Sequence, residues 1–174
     1  MARTIGINPF SSLSIKNAIQ ELEQYKVDLS RKCDEFCSRL ALRISEYVQA
    51  GFQASVSDTR INGVTIPVNV NVSIQREGNM FVVIARGEDA VWAEFGAGVY
   101  YNTPAGSSPH PQGAKLGMVI GGYGNGYGAQ KTWGYISDDG ELILTHGTPA
   151  TMPMFNALQR ILGEYESIAC EVFG

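Results

Sequence analysis

The clearest pattern along the chain is a series of apolar residues between positions 14 and 50, at steps of three and four with one step of seven. Polar residues fill most of the other positions, and no glycine or proline interrupts the series before Gly51. This spacing predicts an amphipathic helix of roughly 35 to 40 residues, about 55 Å long. Because such a helix is longer than the core of one small domain, we expect part of its apolar stripe to contact another subunit. The stripe comprises Ile15, Ile19, Leu22, Leu29, Cys33, Phe36, Leu40, Ile44, Tyr47 and Val48.

Two hairpins are predicted after this helix. Apolar residues alternate with polar ones from Val68 to Ile74, which predicts a half-buried strand, and residues 80–87 form its return strand after a turn at 77–79. The second hairpin is predicted over residues 132–137 and 141–145.

Two further helices complete the expected order of elements. Residues 88–98 predict a short helix that ends in glycine, and Pro153 suits the first turn of a C-terminal helix that extends to about Ala169. The predicted fold is therefore α+β, with a long N-terminal helix, an antiparallel β-sheet of hairpins, a short central helix and a C-terminal helix packed on the sheet. We expect residues 1–174 to form a single domain, with an arm at residues 1–13, the long helix at 14–50 and a long loop at 99–131.

The segment from Ala90 to Ser137 differs in composition from the rest of the chain. Its 48 residues carry three formal charges, but they include both tryptophans and five of the eight tyrosines. A long solvent-exposed loop ordinarily carries more charge, whereas charge depletion with aromatic enrichment is typical of interface cores. We therefore expect this loop to face another chain. The residues predicted at a subunit or partner interface are Tyr100, Tyr101, His110, Tyr123 and Tyr127.

Three aromatic residues near the two ends of this loop are predicted to pack together. Trp92 and Phe95 lie three residues apart on the short helix and so share a face, and Trp133 begins the second hairpin. We expect these three side chains to form one structural cluster that holds the ends of the loop.

Charge and cysteine content narrow the classes of function. The net charge is −4, and no cluster of lysine and arginine resembles a phosphate-binding surface, which argues against tight nucleic-acid binding. Three cysteines without a CxxC pair indicate a reducing compartment. No run of residues approaches the roughly 20 apolar residues of a membrane span, so no membrane partner is expected.

The candidate chemistry is sparse. A metal site would need His110 and His146 to converge with Glu94 or Asp138, and their spacing matches no common ligand pattern. The glycine-rich segment 121–128 lacks the lysine and the helix of a phosphate-binding loop. We therefore expect no catalytic residue, no metal, no cofactor and no enzymatic activity. Two alternatives remain open: a small metal-dependent hydrolase, and a single-strand nucleic-acid-binding module that stacks bases on its tyrosines.

Several segments, in this order along the chain, resemble a phage family. They are AVWAEFGAG (90–98), SSPHPQG (107–113) with GNGYGAQKTWGYISDDGELILTHG (124–147), and TPATMPMFNAL (148–158). Together with the long helix and first hairpin, they resemble the tail-component family of long-tailed phages and prophages from about residue 14 to 170. Members of this family are called tail-completion, head–tail joining or neck proteins, and the minor tail protein Z type is related. The chain departs from the family after the Glu-Phe pair, where Ala97-Gly98-Val99 follows Gly96, and before the last helix, where Met152 replaces an arginine.

The resemblance implies a structural virion protein of a siphophage neck. Such subunits form a ring, usually a hexamer, that joins the head connector to the tail and surrounds the channel used in viral genome ejection. The implied partners are further copies of the chain, a head connector or stopper protein, and a tail terminator or tail-tube protein, with DNA passing nearby without specific binding. The implied location is the virion neck, after assembly in the host cytoplasm. If the hydrolase alternative holds, the enzyme would be encoded by a phage.

A DNA channel gives the acidic residues of the C-terminal segment a possible role. Residues 138–174 contain six acids and one arginine, which gives −5 in that segment. A conduit for DNA should avoid cations that bind phosphate, so acids suit its lumen. The alternative is that these acids only keep an exposed hairpin turn and an exposed helix face in contact with water. The predicted lumen acids are Asp138, Asp139, Glu141, Glu164, Glu166 and Glu171.

Overall fold

A computed structural model of the chain describes residues 4–97, 108–117 and 132–174. Within these ranges the chain forms three helices and three two-stranded antiparallel hairpins. In chain order the elements are α1 (Ser12–Gln53), β1 (Val56–Thr59), β2 (Thr65–Pro67), β3 (Asn71–Glu77), β4 (Met80–Arg86), α2 (Ala90–Phe95), β5 (Trp133–Ile136), β6 (Leu142–Thr145) and α3 (Pro153–Phe173). The predicted α+β class is confirmed.

Helix α1 confirms the long helix predicted from the apolar stripe and extends it at both ends. It has 42 residues, and its N-cap is Ser11, whose side-chain oxygen accepts a hydrogen bond from the Ser14 backbone N–H at 3.3 Å. This bond satisfies one of the N–H groups that a helix start leaves without a partner. The helix continues past Gly51, where a side chain would meet Pro153 at the start of α3.

The two predicted hairpins are present. Strands β3 and β4 pair along their whole length, from Asn71 opposite Arg86 to Glu77 opposite Met80. The first of these strands begins later than predicted, at Asn71 rather than Val68. Strands β5 and β6 form the second hairpin, whose turn contains Gly140 with φ +80°, a conformation that favours glycine.

Strands β1 and β2 form a third hairpin that the sequence pattern did not predict. They are four and three residues long, and the register shifts between Val56 and Asp58. Such short, irregular strands give no sustained alternation of apolar and polar residues. Pro67 is the last residue of β2 and directly precedes Val68, where the sequence predicted the start of a strand.

The core lies where α1, α2, α3 and one face of the β3–β4 hairpin meet. Its fully buried residues are Val48 and Phe52 of α1, Ala93 of α2 and Ala157 of α3. The partly buried residues packed around them include Val72, Val83 and Ala85 from the hairpin.

Helices α1 and α3 are antiparallel neighbours. A side chain at Gly51 would meet Pro153 at the start of α3, and Phe36 contacts Phe173 at the end of α3, with ring centroids 5.8 Å apart. Within the described part of the chain, neither helix contains a stretch apolar enough to span a bilayer.

Candidate functional site

A buried carboxylate joins α2 to the first turn of α3. Glu94 is 7% exposed, and its two carboxylate oxygens accept hydrogen bonds from the backbone N–H groups of Met154 and Phe155, each at 2.8 Å. Helix α3 begins after Met152, which has a left-handed backbone (φ +54°) and makes no side-chain cap. Glu94, a residue of α2, therefore acts as the N-cap acceptor of α3. Its negative charge also interacts favourably with the positive end of the α3 dipole.

His110 completes this group of residues. Its Nε2 lies 3.2 Å from Glu94 Oε1, and its Nδ1 accepts a hydrogen bond from the Gln112 backbone N–H at 3.0 Å. These partners assign the ring proton to Nε2, which donates to Glu94. The imidazole also packs against Phe95 and Phe155, with ring centroids 4.5 and 5.2 Å away. We call Glu94, Phe95, His110, Met154 and Phe155 the Glu94 cluster.

The surroundings of the Glu94 cluster fix the start of the long loop and the described segment within it. The Ser108 hydroxyl donates to the Phe95 carbonyl, and Ala97 and Thr148 exchange two backbone hydrogen bonds of 2.9 Å. The Thr151 backbone N–H donates to the Ala93 carbonyl at 2.9 Å. The point where the loop leaves α2 and the segment 108–117 are therefore both held against the start of α3.

The position of His110 corrects one sequence-based expectation. We predicted His110 at a subunit interface because it belongs to the charge-poor loop. In the structure it is 6% exposed and buried within the subunit. The physical reason is that Glu94 needs a donor for its remaining lone pairs, while two phenylalanine rings enclose the imidazole. The sequence carried no signal for this pairing, since 16 residues separate Glu94 from His110.

The aromatic cluster predicted from Trp92, Phe95 and Trp133 is described only in part. Phe95 packs against His110, which was not among its expected partners. Trp92 is partly exposed on α2, and Trp133 begins β5, with its side chain outside what the structure describes. The predicted three-way contact stays a prediction.

The four predicted interface tyrosines lie outside the described residues. They are Tyr100, Tyr101, Tyr123 and Tyr127, and they belong to the 99–131 loop, of which the structure describes residues 108–117. Their assignment to an interface stays a prediction.

Glu164, one of the predicted lumen acids, lies between α1 and α3. Its carboxylate oxygens accept hydrogen bonds from the Tyr47 hydroxyl at 2.7 and 2.8 Å, and the guanidinium groups of Arg160 and Arg43 lie 3.3 and 3.5 Å away. The Tyr47 hydrogen bond, followed by the interactions with Arg160, holds the pKa of Glu164 below its ordinary value, and the same bond raises the pKa of Tyr47. Glu164 therefore helps to fix the two helices together.

The other predicted lumen acids divide into two groups. Glu171 pairs with Arg39 of α1 at 3.2 Å, and Glu166 accepts a hydrogen bond from the Tyr165 hydroxyl at 3.1 Å. The remaining three, Asp138, Asp139 and Glu141, are exposed around the β5–β6 turn. Among these acids, only the three at the turn have no described side-chain partner. That they lie near a channel stays a prediction.

A second buried acid escaped the sequence analysis. Asp58 on β1 accepts hydrogen bonds from the Thr145 hydroxyl and from the Tyr135 hydroxyl, the latter at 3.2 Å, and lies 3.4 Å from Arg60 Nε. These contacts join β1 to the β5–β6 hairpin. Arg60 is two residues from Asp58, but Thr145 and Tyr135 are 87 and 77 residues away, so only the fold brings these two partners to it.

The first half of α1 extends beyond the rest of the described structure. Helix α3 ends beside Phe36, and the β3–β4 hairpin reaches α1 near its turn through Arg76 and Asp34, whose side chains make two hydrogen bonds of 2.5 and 3.0 Å. We call residues 12–31 the projecting half of α1. Its apolar stripe is exposed, although Ala18 beside it is buried. The exposed fractions are 40% for Ile15, 50% for Ile19, 53% for Leu22 and 40% for Leu29.

No metal-binding group is present in the parts of the chain that the structure describes: no three His, Cys, Asp or Glu side chains gather there. Both ring nitrogens of His110 have protein partners. Comparison with protein-family models, with curated proteins and with solved structures found no match for this chain.

Proposed function

We propose that this chain is a structural subunit of the neck of a long-tailed phage. In this proposal, copies of the chain assemble into a ring, most simply a hexamer, that joins the head connector or stopper protein to the tail terminator or tail tube. The ring surrounds the channel through which the genome leaves, and the subunit catalyses no reaction. The proposal combines the sequence resemblance with the surfaces described above.

The projecting half of α1 is the observation that carries this proposal. An isolated helix shorter than about 12 to 15 residues is marginal in water, and longer helices gain most of their stability from packing. Here about 20 residues of helix leave an apolar stripe half-exposed. Fully burying one such side chain is worth about 1.5–3 kcal/mol, so covering the exposed half of each would contribute roughly 1 kcal/mol. A stripe of four such residues therefore favours assembly with another chain.

The Glu94 cluster supports the same proposal. It is built from the three segments that carry the family resemblance: the α2 segment, the 107–113 segment and the start of α3. Their common role in this subunit is structural, since they hold the start of a long, charge-poor loop and the segment 108–117 within it. A loop anchored in this way can present its tyrosines to a neighbouring chain from a fixed position.

The exposed turn of the β5–β6 hairpin is the best candidate for a surface that faces the channel. Asp138 and Asp139 lie in that turn, and acids there would repel the phosphates of passing DNA. We expect Asp138→Lys with Asp139→Lys to slow genome ejection without blocking particle assembly. Glu77→Lys, at the turn of the other long hairpin, is the matched control. Ejection at the normal rate from the double variant would remove these acids from the lumen.

A deletion experiment tests the neck assignment. In a phage or prophage that encodes the chain, deleting its gene should leave filled heads and separate tails that do not join, and the intact gene should restore joined particles. The variant Ile19→Ser with Leu22→Ser should fail to restore joining, although its circular dichroism matches that of the original chain. Arg31→Ser, a change on the opposite side of α1, is the control and should restore joining.

Two results would overturn the neck assignment. One is a normal yield of joined, infectious particles from the deletion strain. The other is a virion reconstruction in which this chain occurs as a single copy or lies away from the head–tail junction.

A further inference from the structure

The apolar stripe on the projecting half of α1 has the spacing of a coiled-coil seam. Ile15, Ile19, Leu22, Lys26 and Leu29 follow one another at alternating steps of four and three. This heptad spacing is typical of coiled coils, in which the side chains of one helix fit into gaps between the side chains of the other. Lys26, which is exposed, is the polar residue in the seam. A surface that covers the seam therefore needs apolar residues at the same spacing and a carboxylate near Lys26.

Helix α3 carries a second stripe with matching spacing. Leu158, Leu162, Tyr165 and Ala169 also follow at steps of four, three and four. The first three are 45%, 55% and 45% exposed, because α3 turns a different face, with Ala157 and Ile161, towards the core. The exposed carboxylate of Glu166 lies beside this stripe and accepts a hydrogen bond from the Tyr165 hydroxyl at 3.1 Å.

We propose that the projecting half of α1 packs onto the outer stripe of α3 of a second copy of this chain, with the two helices parallel. In this register Ile15, Ile19 and Leu22 lie opposite Leu158, Leu162 and Tyr165. Lys26 then crosses the small Ala169 side chain, and its ammonium group reaches Glu166.

The charges of the two surfaces agree with this pairing. The projecting half, residues 12–31, carries three basic and three acidic residues, a net charge of zero, whereas α3 carries one arginine and three glutamates, a net charge of −2. The complementarity is therefore local, between Lys26 on one surface and Glu166 on the other. Opposite charges at the edges of a coiled-coil seam set the partner and its direction.

Lys26 also argues against other arrangements. In an antiparallel pairing with the same steps it would lie opposite Leu158, at the end of α3 where the nearby acid Glu94 is buried and already bonded. If two projecting halves paired in parallel, the two Lys26 side chains would oppose each other. The exposed face of the β5–β6 hairpin, with Ile136, Leu142 and Leu144, has the two-residue period of a strand and cannot match a seam of fours and threes.

The proposed contact uses different surfaces on its two sides, α1 of one subunit and α3 of the next. Each subunit can therefore donate one surface and accept the other, which generates a ring when the rotation closes. The inference rests on the proposed ring and names the surfaces that build it.

Charge reversal in the purified full-length chain tests the contact. Sedimentation equilibrium up to about 1 mM should show self-association of the unaltered chain. Lys26→Glu should raise the dissociation constant by about tenfold or more, and adding Glu166→Lys should restore it to within about threefold. Arg31→Glu, which makes the same charge change on the opposite side of α1, is the control and should change the constant less than about twofold.

Cysteine cross-linking then identifies the neighbours. In a background with the three native cysteines replaced by serine, Leu22→Cys with Tyr165→Cys should oxidise to a ladder of covalent oligomers. Leu22→Cys alone should stay monomeric. Covalent dimers from Leu22→Cys alone would show pairing between two α1 helices, and a ladder from Leu22→Cys with Leu144→Cys would show docking on the hairpin; either result overturns the inference.

The remaining outcomes separate this inference from the proposed function. A chain that stays monomeric at about 1 mM, or a Lys26→Glu variant that associates like the original, overturns the contact. If the contact forms in solution but the chain is absent from the neck, the contact stands and the proposed function fails. If the chain lies in the neck without a Leu22–Tyr165 cross-link, the function stands and the contact fails.

Discussion

Truncation of Glu94 should be among the most destabilising single changes in the described structure. Glu94→Ala leaves three buried donors without their acceptor: the backbone N–H groups of Met154 and Phe155, and Nε2 of His110. One unsatisfied buried donor costs about 1–3 kcal/mol. Water can enter the space left by the side chain and satisfy part of this set, so we expect a total loss of about 3–5 kcal/mol.

Glu94→Gln separates the contribution of charge from that of shape. The amide keeps one acceptor oxygen but places an NH₂ group against a donor, so one hydrogen bond is lost while the packing is retained. A loss of about 1.5–3 kcal/mol is expected, because the removed bond involves a charged acceptor. The order of stability should be original chain, then Gln, then Ala.

Urea denaturation followed by circular dichroism at pH 7 measures both changes. The midpoint should fall while the slope stays constant, since the same surface is exposed on unfolding. Glu166→Ala, at an exposed acid on α3, is the control and should stay within about 0.5 kcal/mol of the original chain. A loss below about 1 kcal/mol for Glu94→Ala would refute the reasoning, because it would mean that α3 starts equally well without this acceptor.

Two further predictions concern the contact between α1 and α3. Tyr47→Phe should raise the pKa of Glu164 towards its ordinary value of 4.5, because the hydrogen bond that chiefly lowers it is removed. The lowered pKa means that ionised Glu164 adds stability above its unfolded pKa and that this stability is lost as the pH falls through the folded pKa, so the variant should lose less stability on acidification. Carbon-13 NMR titration of the Glu164 carboxyl checks the shift, and an unchanged pKa would contradict the assignment. Gly51→Ala should lower the free energy of unfolding by about 1–3 kcal/mol, since the new methyl would lie 2.9 Å from the Pro153 Cβ. Gly163→Ala should raise it by about 0.5–1 kcal/mol, because the methyl there meets nothing within 4 Å and alanine favours the helix. Thermal unfolding compares the two variants, and equal effects would show that the helix crossing tolerates the methyl group.

The long elements could be predicted from the sequence because each repeats a local rule many times. The apolar steps from Ile15 to Val48 follow one helical period, and the alternation that ends at Ile74 follows one strand period. A shift of one or two residues at an element's end, as at Ser12 or Asn71, leaves such a pattern intact. The β1–β2 hairpin was missed because its strands are too short to show a repeated alternation of apolar and polar residues.

Residues that pair over long distances could not be predicted in this way. His110 looked like a loop residue, because its neighbours in sequence are prolines, and its real partners belong to α2 and α3. Glu164 looked like an acid available to a channel, because it belongs to an acidic C-terminal segment, but its carboxylate is bonded to the Tyr47 hydroxyl of α1. In both cases the partner that decides the role lies more than ten residues away in the chain.

The sequence by itself determined the α+β class, the length of α1, the order of most elements and the existence of a charge-poor loop. These features depend on local periodicity and composition, which are read along the chain. Only the tertiary structure decided where α3 ends beside α1 and therefore which half of the stripe stays exposed. It also decided that Glu94 meets the start of α3 and His110, because the energy of a buried carboxylate depends on donors that only folding brings within hydrogen-bond distance.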